Sequence, residues 1–151
     1  MNISAGGVHV TVPPGWDVRI GRTQQDVAGS RSNLLVHAAN FILPEGRGDF
    51  GSGAVGLMAS GHVFVVLFEY GADSARTALF QAKGFPRVLR AEWFAPNQLQ
   101  RTLPGQAGLQ RFFVEQGRPF SLYAVLGSYN NRGALVLMVN DLLSRITITT
   151  P

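Results

Sequence analysis

The strongest constraint in this sequence is an apolar run, HVFVVLFEY, at residues 62–70. Successive side chains of a β-strand point to opposite faces of its sheet. In this run the even-numbered positions carry His, Phe, Val, Phe and Tyr, and the odd-numbered positions carry Val, Val, Leu and Glu. Both faces are therefore mainly apolar, and both need covering. The run predicts a central strand with packed layers on the two sides of its sheet.

A proline pair separates two shorter alternating runs near the start of the chain. Residues 8–12 read VHVTV and residues 16–20 read WDVRI, the apolar-polar alternation of half-buried strands. The intervening Pro-Pro-Gly ends the first strand and allows a reversal, because proline cannot donate a ladder hydrogen bond. Trp16 is open to two interpretations, a binding site or the corner of a sheet. We expect the corner, with the indole ring closing the end of the core.

The remaining segments complete an α+β pattern in one domain, residues 1–151. In chain order we predict a polar loop (22–32), a strand (33–43), a Gly-rich loop (44–53), a short helix capped by Ser52 and a helical turn (73–80). These are followed by a loop with one strand (83–96), a hairpin turning at Gly117 (109–127), an amphipathic helix (131–144) and a terminal strand or extended tail (145–148). Short turns between strands favour a mainly antiparallel sheet, and the late helix closes the chain over it.

Composition limits the chemistry that the chain can perform. It has no cysteine, which excludes disulfides, thiolate metal sites and a cysteine nucleophile. Charged residues make up 15% of the chain, against about 25% in a typical domain. Two explanations stay open: a protein partner or a second copy covers some apolar surface, or the core is compact and two-faced.

Charge and hydropathy argue against nucleic-acid and membrane functions. The net charge is +4, and its basic residues, all but one of them arginine, are spread along the chain without a basic block. We therefore expect no nucleic-acid partner. The longest uncharged run, residues 51–68, contains glycines, serines and a histidine, so we expect no transmembrane segment.

The first residues, MNISAGGVHVTVP, lack the basic region and apolar stretch of a signal peptide. They predict a cytoplasmic protein. If a leader or anchor has been removed from a longer precursor, the expected location is extracytoplasmic instead.

The motif GRGDFG at residues 46–51 fits the G-x-G-x-x-G pattern of dinucleotide-binding folds. That fold needs a parallel crossover, which usually takes a dozen residues or more. Ten residues separate Gly51 from His62, three of them glycines. We therefore interpret the motif as a Gly-rich loop.

Other catalytic spacings are absent from the sequence. No phosphate-binding loop is present, Ser52 lies in GSG rather than G-x-S-x-G, and no histidine is paired at helical spacing with a second metal ligand. We expect no cofactor, no metal and no enzymatic activity.

One group of arginines and aromatics is a candidate binding surface. Its members are Arg87, Arg90, Trp93, Phe94, Arg101 and Arg111. Arginine and large aromatic side chains are enriched at protein interfaces and in anion-binding grooves. The alternative is a loop pinned to the sheet by its aromatics, with its arginines in water.

The order of elements resembles the PsbP-like superfamily, and more closely its actinobacterial members. The resemblance runs from Gly7 to Ile148 through VPPGW, the central apolar strand, the hairpin segment GRPFSLYAVLGS and the closing LVLMVNDLLSRI. It implies an α/β/α sandwich around an antiparallel sheet, with residues 13–16 at the corner between the first two strands. Known members are mostly non-enzymatic accessory or binding proteins, often outside the cytoplasm, and share no catalytic residues.

Two functional hypotheses follow. The first is a non-catalytic binding or accessory domain that docks another protein, or a second copy, through the Arg/aromatic surface of residues 85–113. The alternative is a sensor or carrier of a small molecule or anion, bound between the sheet and the loop at residues 44–60.

Overall fold

The computed structural model describes residues 1–23 and 32–151, so most of the loop predicted at residues 22–32 lies outside the described residues. The strands are β1 (Asn2–Ala5), β2 (Val8–Thr11), β3 (Asp17–Arg22), β4 (Leu34–Ala39), β5 (Val63–Glu69), β6 (Ala107–Glu115), β7 (Arg118–Leu126) and β8 (Ile146–Ile148). The helices are α1 (Ser52–Val55) and α2 (Arg132–Ser144). Short 3₁₀ turns span Ala72–Arg76, Ala78–Phe80, Ala91–Trp93 and Pro96–Gln98.

The predicted central strand, β5, is the middle strand of a five-stranded sheet with the order β3-β4-β5-β7-β6. Every neighbouring pair in this sheet is antiparallel. Val66 lies opposite His37 on one side and Tyr123 on the other. Because β4 and β5 are antiparallel, the Gly-rich segment between them makes no parallel crossover of the dinucleotide-binding kind.

The predicted hairpin is also present, formed by β6 and β7. Gln116 and Gly117 have φ of 54° and 73°, and Glu115 pairs with Arg118. Two positive φ values in a two-residue connection match the twist of the flanking strands.

Two cores cover the two faces of the five-stranded sheet. On one face α2 packs its buried Leu135, Val139 and Leu143 against the sheet, forming the first core. On the other face, α1 and loop residues between 41 and 58 form the second core. The α+β class, the mainly antiparallel sheet and the closing helix are therefore confirmed.

The cap predicted for α1 is wrong. Gly51, with φ of 79°, occupies the N-cap position, and no side chain caps the helix. A Cβ at Gly51 would overlap the ring of Phe64 in the second core. A glycine is therefore required by both its backbone conformation and the close approach of that ring.

A separate three-stranded sheet, in the order β1-β2-β8, joins the two ends of the chain. The strand β1 was not predicted from the sequence. Because β2 and β3 belong to different sheets, the Pro-Pro-Gly segment carries the chain from one sheet to the other. Trp16 is half-buried there and packs against the first core, which agrees with the corner interpretation.

Residues 83–96 form a loop rather than a strand. Two isolated bridges, Lys83 to Val114 and Ala95 to Gly108, attach it to the outer edge of β6. No helix in the described ranges combines the length and apolarity needed to cross a bilayer.

Candidate functional site

The structure brings three of the six predicted site residues together. The guanidinium carbon of Arg90 lies 5.9 Å from the centre of a Trp93 ring, and that of Arg111 lies 5.2 Å from it. Arg90 also forms an exposed ion pair with Glu92, at 3.6 Å. We name Arg90, Trp93 and Arg111 the docking platform. It combines one large aromatic surface with two cations, the groups that stack on or pair with acidic and apolar partner residues.

The other three residues have different positions. Phe94 is 2% exposed in the first core, so it cannot contribute to a surface. Arg87 donates to the carbonyls of Leu143 and Ile146, at 3.1 and 2.7 Å. Arg87 thereby joins the loop to the last turn of α2 and to the first residue of β8. Arg101 lies on the opposite side of the sheet.

The contact of Arg101 is with α1, where it donates a hydrogen bond to the carbonyl of Ser52. It lines a cavity of about 180 Å³ together with Phe50 and Tyr123. Tyr123 accepts a hydrogen bond from the Gln100 N–H, and burial raises the pKa of its hydroxyl. This small cavity belongs to the second core and is separate from the docking platform.

Hydrogen bonds to α2 and β6 hold the loop that carries Arg90 and Trp93. The Asn140 side chain both accepts from the Leu89 N–H, at 2.8 Å, and donates to the Leu89 carbonyl, at 2.9 Å. Ala95 and Gly108 exchange two backbone hydrogen bonds of 3.0 Å at the other end of the loop. A loop fixed at both ends loses little conformational entropy when a partner binds.

Two exposed apolar residues near the loop were missed by the sequence reasoning. Val88 is 72% exposed beside Leu89, and Leu137 is 67% exposed one helical turn before Asn140. Trp93 itself is 37% exposed. Leu137 carried a signal in the sequence, because it is an apolar residue outside the buried stripe of α2.

A second, larger cavity lies between the sheet and the Gly-rich loop. Its volume is about 590 Å³. We name it the arginine cavity; its lining residues are Arg19, Arg22, Leu35, His37, Glu45, Arg47, Gly48 and Asp49. Its position is that of the ligand in the alternative hypothesis, although its arginines were not among the predicted site residues.

His37 and Arg47 form the base of this cavity. The Arg47 Nε donates to His37 Nδ1 at 2.6 Å, and His37 Nε2 lies 2.7 Å from the Asp49 carbonyl oxygen. Since a guanidinium N–H can only donate, Nδ1 is the acceptor and Nε2 carries the proton. His37 is 3% exposed. Burial lowers the pKa of His37 to about 4. The hydrogen bond to the Asp49 carbonyl raises this pKa, and the charge of Arg47 lowers it further.

Arg19 at the side of the cavity is neutralised by carboxylates. It pairs with Asp17 and with Glu45, each at 3.2 Å. Burial would raise the pKa of Asp17, but hydrogen bonds from Arg19 and the Leu43 N–H outweigh it and hold that pKa below its usual value.

Arg47 differs from Arg19 in having no carboxylate within ion-pair distance among the described residues. Its described partners are the neutral His37 ring and the Pro44 carbonyl, at 3.0 Å. Burial lowers the pKa of Arg47 and the nearby charge of Arg19 adds to that effect, while the charges of Glu45 and Asp17 oppose it. Arg47 is therefore a partly buried cation whose charge is not compensated by a direct contact in the described chain.

The described residues contain no cluster of three or more histidines and acidic side chains arranged to hold a metal ion. The fold and its sites define an α+β protein with two antiparallel sheets, a docking platform on one side and an arginine cavity on the other. No family model, curated protein or solved structure matches the chain.

Proposed function

We propose that this protein is a non-catalytic binding or accessory domain, which docks a protein partner through Arg90, Trp93 and Arg111. The observation that carries the proposal is the half-exposed Trp93 ring flanked by two guanidinium groups on a fixed loop. Tryptophan and arginine dominate the residues whose loss most weakens protein interfaces. A membership of the PsbP-like superfamily, which we also propose, agrees with an accessory role.

The chemistry of the platform favours an acidic partner surface with an apolar centre. Arg90 and Arg111 provide positive charge at 5.9 and 5.2 Å from the ring centre, whereas Glu92 offsets part of the charge of Arg90. Val88, in the same loop, and Leu137, on α2, are exposed apolar residues. A partner carboxylate would form a bidentate contact with a guanidinium, while an apolar side chain would pack on the indole.

The test is affinity capture with the full chain and three variants, Arg111→Glu, Trp93→Ala and Arg76→Glu. Arg76 is an exposed arginine in the 3₁₀ turn Ala72–Arg76, outside the platform, so its variant matches the charge change. We expect a partner bound by the wild type and by Arg76→Glu, and lost with Arg111→Glu and Trp93→Ala. Circular dichroism and thermal melting of each variant measure whether it is folded.

Equal capture by all four proteins would contradict the proposal. Analytical ultracentrifugation of the wild type alone tests whether the partner is a second copy of the chain. If the wild type is a dimer and Trp93→Ala is a monomer, the platform mediates self-association. If Trp93→Ala unfolds the chain, Trp93 is a core residue. The test of the proposal then depends on Arg111→Glu, because this variant removes no apolar surface from the core.

A further inference from the structure

We propose that the protein forms a symmetric dimer in which β3 pairs antiparallel with β3 of a second copy, with the two-fold axis at Val18. The two five-stranded sheets then continue into each other across the interface. The strand β3 is the edge of its sheet opposite β6, which carries Arg111 of the docking platform. The inference is therefore independent of the platform.

The outer side of β3 is an open sheet edge. Among the described residues its one ladder partner is β4. The strand β1 lies near β3 but pairs with β2 in the other sheet. The sequence of β3 is DVRIGR, six residues without proline. An edge of this kind presents backbone N–H and C=O groups to which another strand can pair.

The ladder with β4 determines which groups of β3 point outward. Thr23 donates to the Asn33 carbonyl at 2.9 Å, which continues the β3–β4 register by one hydrogen-bonded pair. Because bonded and non-bonded pairs alternate in an antiparallel ladder, odd-numbered residues of β3 bond to β4 and even-numbered residues point away from it. The N–H and C=O groups of Val18 and Ile20 therefore face outward, where no described loop residue bonds to them.

These outward groups match those of a second copy. Across a two-fold axis at Val18, the two Val18 residues exchange N–H and C=O bonds, and each Ile20 N–H donates to the Trp16 carbonyl of the other copy. The Trp16 N–H is not needed for this pairing, because it donates to the Pro13 carbonyl at 3.2 Å in the turn before β3.

The apolar face of β3 is self-complementary in the same register. Trp16, Val18 and Ile20 are partly buried and pack against the first core. In the dimer Val18 lies opposite Val18, and Trp16 lies opposite Ile20. Aromatic and β-branched side chains paired across strands stabilise a sheet, and the pairing covers more of the apolar surface of all three residues.

The charged face of β3 selects this register and a second copy as the occupant. Asp17 and Arg19 form an ion pair at 3.2 Å within one chain. With the axis at Val18, each Asp17 also lies opposite the Arg19 of the other copy, in a non-bonded pair, where side chains approach most closely. The two neighbouring symmetric registers place Asp17 opposite Asp17 or Arg19 opposite Arg19, and like charges directly opposite each other destabilise a sheet.

The experiment is analytical ultracentrifugation of the full chain and of Asp17→Lys, Arg19→Glu and Arg76→Glu. The last makes the same charge change as Arg19→Glu at an exposed arginine outside β3. We expect the wild type and Arg76→Glu to dimerise, and the dissociation constant of each β3 variant to rise about tenfold or more, because like charges then face each other. A wild type that stays monomeric up to about 100 μM would overturn the proposal and leave the edge to a strand of another protein.

Mixing the two β3 variants tests the register. In a mixed dimer the introduced lysine lies opposite the introduced glutamate and native Arg19 lies opposite native Asp17, so an equal mixture should dimerise again. Dimerisation of each variant alone as tight as that of the wild type would refute the pairing. Thermal melting measures whether each variant is folded. Asp17→Lys also loses the bond from the Leu43 N–H, at 2.9 Å; if it does not fold, Arg19→Glu against Arg76→Glu decides.

Two further measurements separate β3 from the docking platform. Trp93→Ala should dimerise as the wild type does, and a dimer lost in Trp93→Ala but kept in Arg19→Glu would overturn the β3 interface. Hydrogen exchange at the Val18 and Ile20 amides should slow as protein concentration rises, because pairing supplies acceptors for these N–H groups. Exchange at these amides that does not depend on concentration in a dimeric wild type would also overturn it.

Discussion

His37 makes the stability of the protein depend on pH. Its pKa of about 4 in the folded state lies below the ordinary value of 6.5. Between these values the unfolded chain binds a proton that the folded chain does not, so stability falls as pH falls from about 6.5 toward 4. We expect the free energy of unfolding to decrease by about 2 kcal/mol between pH 7.5 and pH 5 on account of His37.

Urea unfolding of the wild type and of His37→Gln at several pH values measures this effect. The glutamine variant has no ring to protonate, so the decrease between pH 7.5 and pH 5 should shrink markedly. Asp17 does not confound the result: its pKa is lowered from 3.8, so the stability that it contributes is present throughout pH 5 to 7.5 and is lost only at lower pH. Parallel pH dependence in the two proteins would show that His37 is not the titrating group.

At the same scale, side-chain environments were the least predictable part of the chain. Trp93 and Phe94 are adjacent in the sequence, yet one is half-exposed and the other is in the first core. The 3₁₀ turn at Ala91–Trp93 decides this, and no periodic pattern in the sequence indicates such a turn. The position of His37 opposite Val66 follows from strand pairing, which no local pattern specifies.

The two sheets are joined by the buried side chain of Arg118, on β7. It donates to both carboxylate oxygens of Glu69, at 2.8 and 2.9 Å. It also donates to the Gly6 and Thr149 carbonyls, each at 2.7 Å, which lie at the same end of the three-stranded sheet. One guanidinium therefore connects β5, the β1–β2 turn and the segment after β8.

We expect Arg118→Met to lower the free energy of unfolding by about 2–4 kcal/mol, because it leaves the partly buried Glu69 carboxylate and two carbonyls unpaired. The double variant Arg118→Met/Glu69→Gln should cost less than the sum of the two single variants, since it leaves no unpaired charge. Urea unfolding measures these differences. In Arg118→Met, hydrogen exchange at the amides of β2 and β8 should accelerate more, relative to the wild type, than exchange at the amides of β5. Equal acceleration in the two sheets would contradict this role of Arg118. A loss of stability no larger than that of a surface substitution would also contradict it.

Among the elements, those with a clear pattern were predictable and those defined by distant partners were not. The strand β5, the hairpin at Gly117 and α2 follow from alternation, turn residues and helical spacing. The strand β1 reads NISA, which has no such pattern, and it exists because it pairs with β2. Local patterns also do not indicate that β2 pairs with β8, at the far end of the chain.

At the scale of the whole molecule, the sequence indicated a candidate binding surface but not which of its residues lie together. Arg90, Trp93 and Arg111 come together because the loop bridges β6 and α2, elements distant in the sequence. Arg101 was grouped with them by its sequence position, yet the chain passes to the opposite side of the sheet before reaching it. The sequence did not single out Arg47, because the feature that distinguishes it is its hydrogen bond to the buried His37 ring, and no local pattern indicates that contact.

The two cores share one sheet, which predicts that they unfold together. Phe64 is fully buried in the second core, whereas Trp16 packs against the first core and the turn containing Trp93 contacts α2. We expect Phe64→Leu to cost about 1–3 kcal/mol. Although both tryptophans lie on the other face, their fluorescence should report the full loss of stability, because β5 contributes side chains to both cores.

The measurement is urea unfolding of the wild type and of Phe64→Leu, followed by tryptophan fluorescence and by far-ultraviolet circular dichroism. In a two-state transition the two signals have the same midpoint in each protein. The substitution should move both midpoints by the same amount and leave the dependence on urea unchanged. A fluorescence midpoint that stays in place while the circular dichroism midpoint falls would mean that the first core, with α2 and the docking platform, remains folded without the second.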